Sequence, residues 1–137
     1  MKLKSLNKKV DAFNLQELLV VMVIIGILVL IAMPSLMKQV TKAKSIEAKI
    51  QLNHLCSLQK DYFYLNSKYS NNFNDIDFEP PANLEQGGTA YYSYEIIEAS
   101  TNSFKARATA VSDFDGDGIR NVWEIDQDKK LKEVVKD

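Results

Sequence analysis

Residues 12–34, AFNLQELLVVMVIIGILVLIAMP, decide how the rest of the chain is read. From Leu18 to Met33 sixteen consecutive positions carry no charge and no strongly polar side chain, and Phe13 and Leu15 extend the apolar character backwards. A helix of sixteen to twenty such residues is roughly 25–30 Å long, about the thickness of the hydrocarbon core of a bilayer. Lys2, Lys4, Lys8 and Lys9 precede it against Asp11 alone, a local net charge of +3. By the positive-inside rule these lysines stay in the cytoplasm, which predicts a single pass with the N-terminus inside and everything after Pro34 on the far side.

An ordinary secretory signal peptide is cut after its apolar stretch, beside small residues. Here the polar-to-apolar junction, Asp11-Ala12-Phe13, comes first, and a lone Glu17 stands at the mouth of the apolar run. Residues 12–22, AFNLQELLVVM, resemble the processing motif of the type IV prepilins: a small residue, a phenylalanine that becomes the new N-terminus, a glutamate fifth after the cut, then a long aliphatic helix. Lys8 and Lys9 supply the basic end of the leader, and Gly26 and Pro34 fall where type IV pilins carry a helix-loosening glycine and proline. The chain departs from that pattern in having Ala12 for the usual glycine, Asp11 beside the cut, and the more polar Asn14 and Gln16. Alanine is still small enough for a cleft that excludes larger side chains, so cleavage between Ala12 and Phe13 is expected, with Phe13 methylated.

A carboxylate among aliphatic residues costs a few kcal/mol in a bilayer unless it is paired. The resemblance implies that Glu17 of one subunit neutralises the new α-amino group of Phe13 on its neighbour. On the residues alone, Glu17 could instead cap the helix by its interaction with the N-terminal dipole. Pro34 removes an intrahelical donor and Gly26 weakens the same stretch. The resemblance implies that this region can lose helicity when a filament forms or stretches.

Beyond Pro34 the apolar positions Leu36, Val40, Ala43, Ile46, Ile50, Leu55, Leu58, Tyr62 and Leu65 mostly recur at three- and four-residue steps. This spacing predicts that an amphipathic helix continues to about Asn66, some 80 Å from Phe13, and a stripe of that length needs a partner. Ser67 to Ala90, with Asn71, Asn72, Asn74, Pro80-Pro81 and Gly87-Gly88, reads as an irregular connection. Strand-like runs follow at 91–97, 104–112 and 119–125, the second alternating Phe104, Ala106, Ala108 and Ala110 with polar residues. The expected fold is α+β: a long N-terminal α-helix, half transmembrane and half amphipathic, packed against an antiparallel sheet of three or four strands. Its parts would be a removed leader (1–12), a membrane and filament-core helix (13–34), the amphipathic half (35–66), and the αβ-loop with the sheet head (67–137). The charged tail from Asp126 is expected to fray.

Between the second and third runs, Asp113-Phe114-Asp115-Gly116-Asp117-Gly118 followed by Glu124 matches the calcium-loop pattern D-x-[DN]-x-[DN]-G-x5-E. Clustered carboxylates with a glycine at the sharp turn suit a hard divalent cation. The flanking runs look like strands rather than helices, so the competing account is a β-hairpin whose glycines supply positive-φ turn positions. Both can hold at once, with calcium bound by Asp113, Asp115, Asp117 and Glu124.

The other signals point to no chemistry. Lys and Arg number 17 against 18 Asp and Glu, so no basic excess indicates nucleic acid. His54 and Cys56, two apart on a helix, face different ways and cannot act as a catalytic pair. A single cysteine forms no intramolecular disulfide. The tyrosines suit core and sheet packing better than ligand stacking. With no phosphate loop, zinc cluster or serine elbow in view, an enzyme is not expected, and no cofactor is required beyond that optional calcium. The resemblance implies a structural subunit of a type IV pilus, serving adhesion, twitching motility or DNA uptake, or alternatively a calcium-binding pseudopilin of type II secretion. Its partners would be further copies of itself, minor pilins, the prepilin peptidase, an inner-membrane assembly platform and lipid. It would sit in the inner membrane before assembly, then in a surface pilus or a periplasmic pseudopilus. From another class, a signal-anchored calcium-binding module that never polymerises fits the same anchor.

Overall fold

The computed structural model describes residues 12–137; the basic leader, apart from Ala12, lies outside the described residues. Helix α1 runs Leu15–Asn66, passes through Pro34, and is followed by two short 3-10 turns, Phe73–Ile76 and Leu84–Gln86. Four strands complete the chain: β1 Tyr92–Ala99, β2 Phe104–Ala110, β3 Val122–Asp126 and β4 Leu131–Val135. They form one antiparallel sheet in sequence order, β1-β2-β3-β4. The fold is thus α+β and pilin-like, as the sequence predicts, and its contacts divide into two compact units between Ser35 and Leu36.

In the first unit nothing covers the apolar run. Its most hydrophobic window has a mean hydropathy of 2.9 and is 0% buried, and this is the one helix among the described residues long and apolar enough to cross a membrane. So much contiguous apolar surface is not sustained in water. Gly26 has open space where a Cβ would be, so its glycine is not required by close packing within the chain.

In the second unit the sheet packs on one stripe of α1, and that stripe is only partly the predicted one: of the expected positions Leu55 is buried and Leu58 and Tyr62 pack against the core. The buried positions are Thr41, Ser45, Ala48, Leu52, Leu55, Cys56 and Gln59, whereas Leu36, Val40, Ile46, Ile50 and Leu65 are exposed. Small side chains explain the choice. Ala48 shares the core with Ala106, Ala108 and Ala110, all at 0% exposure, which leaves volume for Leu52, Leu55, Tyr92 and Phe104. The alternation predicted for β2 is present as Phe104, Ala106, Ala108 and Ala110 buried in turn. Cys56 is a buried free thiol beside the Asp126 carbonyl, and His54 lies exposed on another face.

Polar side chains fix the irregular segments. The Gln59 amide, fully buried, donates to the Ser70 carbonyl at 2.6 Å and accepts the Ser70 N–H at 3.0 Å, pairing the connection to α1 as a strand neighbour would. Both Glu47 carboxylate oxygens accept the Tyr91 N–H, and one also accepts the Tyr94 hydroxyl. At the same end of the sheet the Tyr92 hydroxyl donates to Asn121 Oδ1 at 2.8 Å, while Asn121 Nδ2 donates to Glu133 and to the Val135 carbonyl. The C-terminal segment therefore does not fray: Leu131–Val135 is a paired fourth strand, entered by a turn in which Asp126 accepts the N–H groups of Asp128 and Lys130.

Burial pushes the Cys56 thiol up and the Tyr92 and Tyr94 hydroxyls well above their ordinary values, with the Glu47 carboxylate adding to both tyrosines. The unfolded chain sheds these protons first, so it binds fewer protons than the native one on the alkaline side. Stability is then full below the ordinary thiol and phenol values and is lost as pH rises through them. In detergent micelles, the melting temperature of the second unit should fall steadily from about pH 9 upward; Tyr94→Phe should shallow that slope.

Candidate assembly stem and acidic loop

The N-terminal end of α1 is built by Asn14 and Glu17. The Asn14 carbonyl accepts the Leu18 N–H at 3.2 Å, and the Glu17 carboxylate reaches back to accept the Asn14 N–H at 3.1 Å. This is one half of a capping box, with the carboxylate in the first turn where the helix dipole favours it. Within a single chain Glu17 therefore acts as the cap that the residues alone allowed. Phe13 precedes it at 89% exposure. Ala12 and Phe13, between which a cut is expected, and Glu17 thus lie at the exposed start of the stem, while Gly26 and Pro34 lie farther along it.

The acidic loop joins β2 to β3 and contains no helix. Gly116 and Gly118 both have φ of 88°, the positive-φ positions expected of a strand-to-strand loop. Asp113 organises it: one oxygen accepts the Asp115 and Gly116 N–H groups and the other the Gly118 N–H. The Gly118 and Gly116 bonds hold its carboxyl below the usual carboxylate range. Phe114 turns inward at 7% exposure, packs edge-on against Tyr91 and Tyr92, and carries the Lys44 ammonium 4.4 Å from its ring centre.

Four carboxylates converge here, and they are Asp113, Asp115, Asp117 and Asp137, with one oxygen from each within 4.8 Å of the others. Oxygens surrounding one calcium ion at about 2.4 Å are no farther apart than about 4.8 Å, so these four can share a cation. Glu124 is not among them. It lies on β3 directly opposite Arg107 of β2 and accepts Arg107 N–H groups at 2.9 and 2.7 Å. The pattern's twelfth position presumes a helix returning to the loop, whereas a strand carries Glu124 away along the sheet. Asp137, which no local spacing could flag, takes that place because β4 returns beside β3. Its Oδ2 accepts the Phe114 N–H at 2.9 Å, while Oδ1 is buried without a partner. Burial pushes its carboxyl upward, and the three aspartates add to the shift.

A bare apolar stretch of α1 followed by a helical half that carries a small antiparallel sheet on one face defines a pilin-like protein whose stem fits membrane anchoring. Comparison with known proteins agrees. The chain belongs to the type IV pilin family: the family model described as "Type IV minor pilin ComP, DNA uptake sequence receptor" matches residues 34–118, more than half of the chain. The type IV major pilin protein PilA of Myxococcus xanthus (strain DK1622) is 36% identical over 100 residues, which cover 73% of this chain and 43% of that protein. The match thus spans less than half the length of this curated relative. Pilins are a structural protein family.

The loop's attachment rests on Phe114 more than on its turns. Phe114→Ala should cost about 3 kcal/mol, read as a lower melting temperature with earlier proteolysis between Val111 and Asn121. A loop held by its Asx turns alone would leave both unchanged.

Proposed function

We propose that the chain is a structural subunit of a type IV pilus. It is cut between Ala12 and Phe13 by a prepilin peptidase, methylated on Phe13, held by residues 13–34 in the inner membrane, and passed by an assembly platform into a helical filament. The observation that carries this reading is the second apolar face of α1. Lipid can cover Leu18–Met33, but Leu36, Val40, Ile46 and Ile50 lie beyond Pro34, on the far side of the predicted span, and stay 42–61% exposed while the sheet occupies another stripe. A helix apolar on a face that neither its own sheet nor lipid covers needs other helices. Copies of this chain supply them, with Glu17 exchanging its bond to the Asn14 N–H for the α-amino group of a neighbour. The matching family model and the named relative are both described as type IV pilins, which favours a pilus over a pseudopilus.

Mass spectrometry of the membrane-extracted protein should give a methylated Phe13 as N-terminus, and an intact Met1 would sink the proposal. Glu17→Val should leave membrane levels unchanged and cut filament yield by about tenfold or more, since the amine left in the apolar core then has no counter-charge.

We propose further that calcium binds the acidic loop through Asp113, Asp115, Asp117 and Asp137. The donor set is all carboxylate oxygen, as a hard cation needs, and the buried orphan Oδ1 of Asp137 is the atom a cation would satisfy. When bound, the ion would tie the C-terminal end of the chain to the β2–β3 loop. At a hundred times its dissociation constant it should stabilise the second unit by about 2.7 kcal/mol. Asp137→Asn should abolish most of that gain and, without calcium, raise the melting temperature slightly by removing repulsion. An unchanged midpoint between excess calcium and chelator rules the ion out.

A further inference from the structure

The start of α1 carries an open groove of about 460 Å³, lined by Asn14, Gln16, Glu17, Val20 and Val21. Helical spacing explains the set. Val20 and Val21 stand one turn on from Gln16 and Glu17, and Asn14 stands three residues before Glu17, so one face has a polar mouth and an aliphatic floor. From Ala12 to Met37 the only polar side chains are those of Asn14, Gln16, Glu17 and Ser35, and Glu17 alone ionises. A carboxamide packed among apolar stems is costly unless it is hydrogen-bonded. Ser35 lies past Pro34, so the partner of Gln16 must be found at the N-terminal end of a stem.

The filament reading brings a cation to the same place. The α-amino group created at Phe13 is, once methylated, a secondary ammonium whose two N–H bonds diverge, and each needs an acceptor nearly in line with it. Glu17 is already partly used: its Oε2 accepts the Asn14 N–H at 3.1 Å, which leaves Oε1. The first backbone bond of α1 runs from the Leu18 N–H to the Asn14 carbonyl, so the N–H groups of Leu15, Gln16 and Glu17 have no intrahelical acceptor. This positive end of the helix works against an incoming cation. One free carboxylate oxygen is a poor match for two donors at such a place.

We infer that Gln16 supplies the missing acceptor. In the filament the Gln16 side-chain carbonyl accepts one N–H of the methylated Phe13 ammonium of a second copy of this chain, and Glu17 Oε1 accepts the other. The Phe13 ring, 89% exposed in the single chain, then covers Val20 and Val21, themselves 53% and 50% exposed. The two demands meet: a carboxamide without a partner in an apolar core, and a donor without an acceptor. The inference rests on the filament reading proposed above and adds to it a residue that positions the incoming N-terminus. Glu17 supplies the counter-charge, and Gln16 fixes the direction from which the amine is held.

Filaments sheared from cells carrying each full-length variant in place of the wild-type chain give the yield, and mass spectrometry of the membrane fraction reads the N-terminus. Gln16→Met keeps the length and helix propensity of the side chain and removes the acceptor. It should lower filament yield about tenfold, as expected for one lost hydrogen bond to a charged group, with methylated Phe13 and the membrane level unchanged. Glu17→Gln keeps the cap, since either residue serves at that position, and removes the counter-charge; it should lower the yield about tenfold or more. The exchange Gln16→Glu/Glu17→Gln moves the carboxylate to the other wall of the groove and should recover the yield to within about threefold of wild type. A purely structural role for Gln16 gives no such recovery. An unchanged yield in Gln16→Met, or an exchange no better than Glu17→Gln alone, overturns the inference and leaves the pilus reading standing. A Gln16→Met chain whose N-terminus stays uncut assigns the residue to the peptidase and overturns it likewise. A wild-type chain that keeps Met1 or forms no filament takes down both.

Discussion

The carboxylate of Glu47 accepts the Tyr91 N–H and the Tyr94 hydroxyl, and in doing so sets where the sheet begins along α1. A strand can slide along a helix face with little change in buried area, but it cannot slide away from a bond of this kind without stranding a buried polar group. Once Tyr91 is held, Tyr92 and Tyr94 point inward, and the pairing of Tyr92 with Ala110 and Tyr94 with Ala108 follows. That register brings three alanines of β2 into the core beside Ala48. It also carries Val111 to the Tyr91 carbonyl, which starts the acidic loop beside Phe114 and its aromatic neighbours.

How much of this the chain announces depends on whether a feature is set by local pattern or by distant contact. The apolar run, the end of α1 at Asn66 and the alternation of β2 are local, and each is legible. The buried stripe of the amphipathic half is legible only in part: Leu55 is buried as its spacing suggests, but toward Pro34 the buried face is not the apolar one. Thr41 and Ser45 are small enough to be buried and Gln59 is buried with its hydrogen bonds made, while Leu36, Val40, Ile46 and Ile50, which carry much of the helical period, remain outside. A period shows that a helix has an apolar face. It does not say whether that face meets the chain's own sheet or another chain.

The same division runs through the acidic loop. Its turns could be read from the glycines, since positive φ is a local requirement met at Gly116 and Gly118. Its fourth carboxylate could not, because Asp137 arrives only through the β3–β4 pairing, and that strand is written in charged residues that look like a tail. Glu124 had the right spacing for a helix-flanked loop and the wrong secondary structure. On a strand its position across from Arg107 makes it half of an ion pair in the sheet instead.

The sheet and the exposed face of α1 can be understood as one constraint seen twice. Seating the sheet on apolar residues such as Ile46 and Ile50 would have buried more hydrocarbon within the subunit, at about 25 cal/mol for each Å² covered. It would also have left a polar helix surface with nothing to offer a neighbour. By seating the sheet on Leu52 and Leu55 among smaller and polar residues, with Glu47 and Gln59 supplying directional bonds, the head folds while Leu36, Val40, Ile46 and Ile50 stay outward. The cost is a head whose stability leans on a few buried polar contacts. The gain is a helix that keeps aliphatic surface exposed on both sides of Pro34.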